Sequence, residues 1–272
     1  MTDPALSTAI EAWRAQDPDP QTVAALDALV SAAESGDASA LAELTDAFAG
    51  PLTFGTAGLR GRLGPGPARM NRVVVAQAAA GLAQYLLDQG LAGGSVIVGY
   101  DARHNSAIFA RDTAEILAGA GLRPLLCAEH RPTPVVAFGI RHYGCVAAVV
   151  VTASHNPPQD NGYKVYLGDG SQIVPPADSE IAGRIAQVAS GSVADIQRST
   201  DYTVLGAELT AAYVARAASL MPTDGPTDLT WVYTAMHGVG TAVVEQVVAA
   251  TGFPKPHQVA AQAQPDPDFP TV

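Results

Sequence analysis

A hydroxyl, an imidazole and an amine lie close together at Ser154, His155 and Lys164, in a chain whose only other lysine is Lys255. Such a set could provide a nucleophile, a proton carrier and a positive charge. All three belong to the stretch from Cys145 to Tyr166, CVAAVVVTASHNPPQDNGYKVY. Its first part is a continuous apolar run, the pattern of a strand buried on both faces. Thr152-Ala153-Ser154-His155-Asn156-Pro157 must end that strand, because small polar residues and prolines cannot continue it. A turn is expected at Asp160-Asn161-Gly162, then a second strand from Tyr163 to Leu167 carrying Lys164. Open α/β sheets bind ligands at the carboxyl ends of their strands. A Ser154–His155 hydrolase pair is disfavoured, since adjacent residues on an extended loop point apart and no nucleophile-elbow pattern surrounds the serine.

Two further stretches carry suitable chemistry. Phe54-Gly55-Thr56-Ala57-Gly58-Leu59-Arg60-Gly61 combines glycines, which permit close backbone approach, with Thr56 and Arg60, donors suited to a phosphate. Gly99-Tyr100-Asp101-Ala102-Arg103 ends a strand with an acid and a base two residues apart. His237, in Met236-His237-Gly238-Val239-Gly240, reads as a capping or packing residue at a strand–helix corner. Thr133-Pro134 reads as a helix start.

The TASHNP string, with Asn161-Gly162-Tyr163-Lys164 downstream, resembles the active-site loop of the alpha-D-phosphohexomutases, the phosphoglucomutase/phosphomannomutase superfamily. The resemblance implies that Ser154 carries a phosphoryl group. It implies that Thr56 and Arg60 face a phosphosugar, that Asp101 and Arg103, with Asn156, orient the site, and that Lys164, His155 and Arg60 share charge stabilisation and proton traffic. It also implies Mg²⁺, bound to an oxygen of the Ser154 phosphate and to aspartates of a D-x-D-x-R loop. That loop is not found in this chain, and Asp266-Pro267-Asp268 is not assigned to it; the metal-binding aspartates are expected beyond Val272. The chain is accordingly expected to be the amino-terminal part of a mutase that moves phosphate between the 1- and 6-positions of glucose or mannose through a bisphosphosugar, with little turnover by itself. A phosphopentomutase, a hexose-bisphosphate synthase and a non-catalytic phosphosugar-binding module remain alternatives.

The bulk composition agrees with a globular intracellular enzyme. The net charge of −11 argues against nucleic-acid and anionic-membrane partners, so an anionic substrate requires cations gathered locally. Cys127 and Cys145 stand alone without CxxC spacing and read as reduced cytosolic thiols. No stretch has the apolar length of a membrane span. Strands at Ser95–Tyr100 and Pro124–Ala128, with helices at Asn71–Gln89, Ser106–Ala118, Pro134–His142 and Ala177–Val188, alternate as in an α/β fold with a largely parallel sheet and helices on both faces. The expected organisation is amino-terminal helices over 1–50, a first domain over 51–192, a polar linker over 193–204 and part of a second, similar domain over 205–272. There a helix at Gly206–Leu220, a turn at Pro222–Pro226, a strand at Leu229–Thr234, a helix from Met236 to Thr251 and a strand near Val259 are anticipated.

Overall fold

The structure, a computed structural model, describes residues 3–56, 58–221 and 228–272; the turn expected at Pro222–Pro226 lies outside them. Three helices come first: α1 (Pro4–Gln16), α2 (Pro20–Glu34) and α3 (Ala38–Ala47). Asp3, Asp19 and Asp37 cap them by accepting backbone N–H bonds, and Pro4 and Pro20 occupy the first helical positions. They pack Ile10, Trp13, Leu26 and Leu44 into the main core.

The central layer follows as β1 (Leu59–Arg62), α4 (Arg72–Asp88), β2 (Ser95–Tyr100), α5 (Ser106–Gly119), β3 (Arg123–Cys127), α6 (Thr133–Tyr143), β4 (Ala147–Val151), β5 (Asp160–Leu167), α7 (Ala177–Ala189) and β6 (Thr203–Leu205). The six strands form one sheet in the order β1-β5-β4-β2-β3-β6. The β4-β2-β3-β6 pairings are parallel, while β5 runs antiparallel to both β4 and β1. The mixed, largely parallel α/β layer read from the sequence is therefore present.

Strand periodicity divides the core in two. Val96, Val98, Ala147, Val149 and Val151 belong to one cluster, with α4, α5 and α7. Ile97, Ala148 and Val150 belong to the other, with Val135, Val136 and Ile140 of α6. Every residue of β4 is fully buried, as expected of a strand covered by helices on both faces.

Four local expectations change. Asp160-Asn161-Gly162 is not a turn but the first three residues of β5, paired with β1. The reason is crowding. The Asn161 side chain donates to the His104 carbonyl and the Ser106 hydroxyl. A Cβ on Gly162 would lie 2.7 Å from the Thr152 carbonyl oxygen and 2.9 Å from that of Leu59. In residues 193–204, Val193 is buried, and Thr203 begins β6, which lies in the first sheet beside β3. Beyond it, α8 (Glu208–Ala218) packs on α6 and on α9 (Thr241–Thr251). The α9 helix starts at Thr241 rather than Met236, because Met236 and His237 hold left-handed φ angles of 51° and 61°. Of the strand expected at Leu229–Thr234, only β7 (Val232–Tyr233) forms, paired in parallel with β8 (His257–Gln258).

Candidate active site at the carboxyl end of the sheet

The carboxyl ends of β2, β3 and β4 present three loops at one edge of the layer. The Asp101 N–H donates to the Val151 carbonyl, and the Arg131 N–H to the Tyr100 carbonyl, so the three loops are tied to one another. The β4–β5 loop carries Ser154. Its N–H donates to Thr152 Oγ1 at 3.0 Å, and its φ of 58° places a non-glycine residue in the left-handed region, a strained conformation that clusters at functional sites. Ser154 is exposed, and its hydroxyl makes no hydrogen bond with a described residue.

Arg103 holds this loop in shape. Its side chain is only 1% exposed. One terminal nitrogen donates to the Pro157 and Asp160 carbonyls at 2.8 and 3.1 Å, the other to those of Ser154 and Asn156 at 3.0 and 2.6 Å. Its Nε lies 3.4 Å from Asp101 Oδ2, an ion pair without hydrogen-bond alignment. Asp101 Oδ1 in turn accepts from the Arg103 N–H and the Ser106 hydroxyl. Burial pulls the guanidinium below its usual pKa, while Asp101 and Asp160 oppose that shift.

Arg60 and Lys164 arrive on neighbouring strands. Arg60 of β1 pairs with Gly162 of β5, two residues before Lys164, so the alternation of strand faces puts both cations on one side. Arg60 donates to Asn156 Oδ1 at 3.1 Å, and Asn156 Nδ2 donates to Asp160 Oδ2 at 2.8 Å. Half-buried Lys164 has its pKa lowered first by desolvation and then by Arg60, with Asp101 acting in the opposite direction. Thr56 is exposed, and its carbonyl accepts from Gln172 Nε2. Gly58 presses the same loop onto β5, so that a Cβ there would lie 3.1 Å from the Lys164 Cα. The exposed His155 ring makes no hydrogen bond with a described residue.

A cavity of about 140 Å³ joins Ser154, Asp101 and Arg103 to His237, Asp266 and Phe269 from the carboxyl-terminal segment. His237 is buried, with Nε2 at 2.8 Å from Thr271 Oγ1, so it packs as expected and also borders the serine's cavity. Arg131 and Thr133 line it too, although no motif in the sequence marked Arg131; its only signal is its place after β3. A larger groove of about 390 Å³ shares no residue with this cavity.

The carboxylates here do not assemble a magnesium site. Asp101 is engaged as described, Asp268 Oδ1 contacts His104 Nε2 at 2.8 Å, and Asp266 Oδ1 accepts from the Asp268 N–H. Among the described residues no group of three or more His, Cys, Asp or Glu is gathered to hold a metal.

Comparison with known proteins supports the same reading. Residues 51–191 match the family described as phosphoglucomutase/phosphomannomutase, alpha/beta/alpha domain I. A Haemophilus influenzae protein named "Probable phosphomannomutase" is 52% identical over 206 residues, covering 75% of this chain and 42% of that protein. A Staphylococcus epidermidis phosphoglucomutase is 35% identical over 227 residues, covering 81% and 41%. A solved Thermus thermophilus structure described as a phosphomannomutase superposes with a TM-score of 0.71 at 28% identity, over 82% of this chain and 48% of that one. This chain thus spans under half the length of these relatives. With more than half of its residues matching the domain model and its serine loop at the sheet edge, the chain belongs to the phosphoglucomutase/phosphomannomutase family.

Proposed function

We propose that this chain is the phosphoserine-bearing part of a mutase that moves a phosphoryl group between the 1- and 6-positions of glucose or mannose phosphates. The observation that carries the reading is an exposed serine hydroxyl, held on a strained loop by a buried arginine, with Lys164 and Arg60 on one face beside it.

In the proposed reaction a sugar hydroxyl attacks phosphorus on phosphorylated Ser154. The P–Oγ bond breaks, the sugar oxygen gives up its proton and Oγ gains one, leaving a bisphosphosugar. After that sugar turns over, Oγ attacks its other phosphate, releasing the isomeric monophosphate and restoring the phosphoserine. Lys164 and Arg60 stabilise charge on the moving group. The lowered pKa of Lys164 brings its ammonium closer to useful acidity; with His155 it is the candidate proton carrier. Thr56 binds the phosphosugar, and Asp101, Arg103 and Asn156 orient the loop. Members of the family generally depend on Mg²⁺; this chain's contribution would be a phosphoryl oxygen on Ser154, with the remaining donors supplied from outside it. The reading places the enzyme in the cytoplasm. Its two cysteines are free and buried, their pKa values pushed up to about 11 by desolvation, as suits inert thiols in a reducing compartment.

Incubation with glucose 1,6-bisphosphate or mannose 1,6-bisphosphate, followed by intact-mass and peptide analysis, tests the proposal. One phosphoryl group should appear on Ser154 and be absent from Ser154→Ala. The faster donor indicates the sugar. Equal phosphate uptake by Ser154→Ala, or none by the wild type, overturns it.

A further inference from the structure

The Asp266-Pro267-Asp268-Phe269 segment holds no metal, yet it is docked directly on the residues that shape the serine loop. The Phe269 ring lies under the Arg103 guanidinium, with Cζ 4.7 Å from the ring centroid. The next residue, His104, contacts Asp268 Oδ1 through Nε2 at 2.8 Å. The Asp266 N–H donates to the His237 carbonyl, and the His237 ring bonds Thr271, so the segment is fixed at both ends. Phe269 itself has a φ of 46°. A bulky side chain in the left-handed region is a genuine outlier, maintained only where surroundings over-determine it. Here the strain aims an aromatic face at a buried cation, and the ring also borders the cavity containing Ser154.

We propose that Phe269 is a positioning residue for the Ser154 loop, acting through Arg103, with Asp268 and His104 as a second tether. Arg103 spends its terminal donors on four loop carbonyls. The only side of the guanidinium left for a further partner is its face, which Phe269 covers by cation–π attraction. Residues 51–191 therefore contain the loop and its arginine, while the segment that secures the arginine comes from the far end of the chain. The consequence for phosphoryl transfer rests on the function proposed above; the positioning does not.

Amide hydrogen exchange on the 272-residue chain tests it. Phe269→Leu keeps apolar bulk but removes the ring. Loop amides over 154–160 should exchange about three- to thirtyfold faster, the span expected for losing a partly desolvated cation–π contact. Amides of Ala147–Val151 should be unaffected, and the Arg103 side-chain NMR resonances should move as the ring current vanishes. Phe269→Tyr, which keeps the ring, should restore both readouts, and Asp268→Asn should produce a smaller increase in loop exchange. Loop exchange within twofold of wild type in Phe269→Leu overturns the proposal, as does failure of Phe269→Tyr to restore it. Phosphate uptake by wild-type Ser154 is scored separately, so an unphosphorylated but normally protected loop counts against the mutase reading alone.

Discussion

Replacing Arg103 by methionine keeps an unbranched side chain of similar reach and removes every donor. A hydrogen bond to a charged group contributes about 1.5–3 kcal/mol, so four of them would suggest roughly 6–12 kcal/mol. That sum overshoots for two reasons. A buried guanidinium carries a desolvation penalty of several kcal/mol, which the methionine avoids. The loop is largely exposed, so its released carbonyls can return to water. Asp101 also keeps its bonds from the residue-103 N–H and the Ser106 hydroxyl. The expected loss is about 2–4 kcal/mol, near the lower part of the range for breaking a buried ion pair. Arg103→Lys should fall between, because one ammonium cannot reach two carbonyl pairs served by two separate nitrogens. Urea unfolding gives the global loss, and amide exchange over 154–160 shows whether it is centred on the loop. A methionine variant within about 0.5 kcal/mol of wild type, with loop exchange unchanged, would refute the claim that this arginine shapes the serine loop.

Lys164→Met should raise stability at neutral pH while weakening phosphosugar binding, because burial and Arg60 disfavour the ammonium. The sign follows from its lowered folded pKa: the unfolded chain holds that proton more tightly, so wild-type stability recovers as pH climbs through the folded value. The Tm gap between variant and wild type should narrow toward about pH 10; a variant less stable at pH 7 contradicts this. Gly58→Ala places a Cβ 1.9 Å from the Tyr163 carbonyl oxygen at a φ of 76°. The 55–58 loop must then move off β5 at about 2–4 kcal/mol, read as a lower denaturant midpoint and slower phosphorylation of Ser154. Asp112→Ala removes a 3%-exposed carboxylate that accepts from Arg72 and Arg198. The loss should be about 3 kcal/mol by urea unfolding, and a near-neutral result would mean that this network does not secure the chain leading into β6.

The elements around the site were legible wherever one physical signal dominated. Continuous apolar runs marked β2 and β4, and the Asn71 cap and Gly90 stop bounded α4, whose Asn71 side chain accepts from the Val74 N–H. Ser154 was legible because a strand that cannot continue must release its next residues at the sheet edge. Misreadings arose where a residue type has two uses. Asp160-Asn161-Gly162 has turn composition, but here the small residues let β1 and β4 approach β5 closely, a constraint visible only once three strands are assembled. Arg131 joins the cavity through the order of strands in the sheet, and Phe269 through contact across more than a hundred residues of chain. Neither fact leaves a local pattern.

The donor inventory bears on which cation can meet a phosphate in a protein of net charge −11. A guanidinium has five N–H groups. Arg103 directs its terminal nitrogens to four carbonyls and its Nε toward Asp101, so it has none to offer without releasing the loop. Arg60 commits one terminal nitrogen to Asn156 and keeps donors on the other. Lys164 makes no hydrogen bond with a described residue, and its charge is disfavoured as it stands. A phosphoryl group beside it would relieve that cost, because the dianion supplies both the counter-charge and the acceptors that the half-buried ammonium lacks. Bound phosphate should therefore raise the Lys164 pKa, which NMR titration of the phosphorylated and unphosphorylated chains would detect. An unchanged value would move the assignment to Arg60.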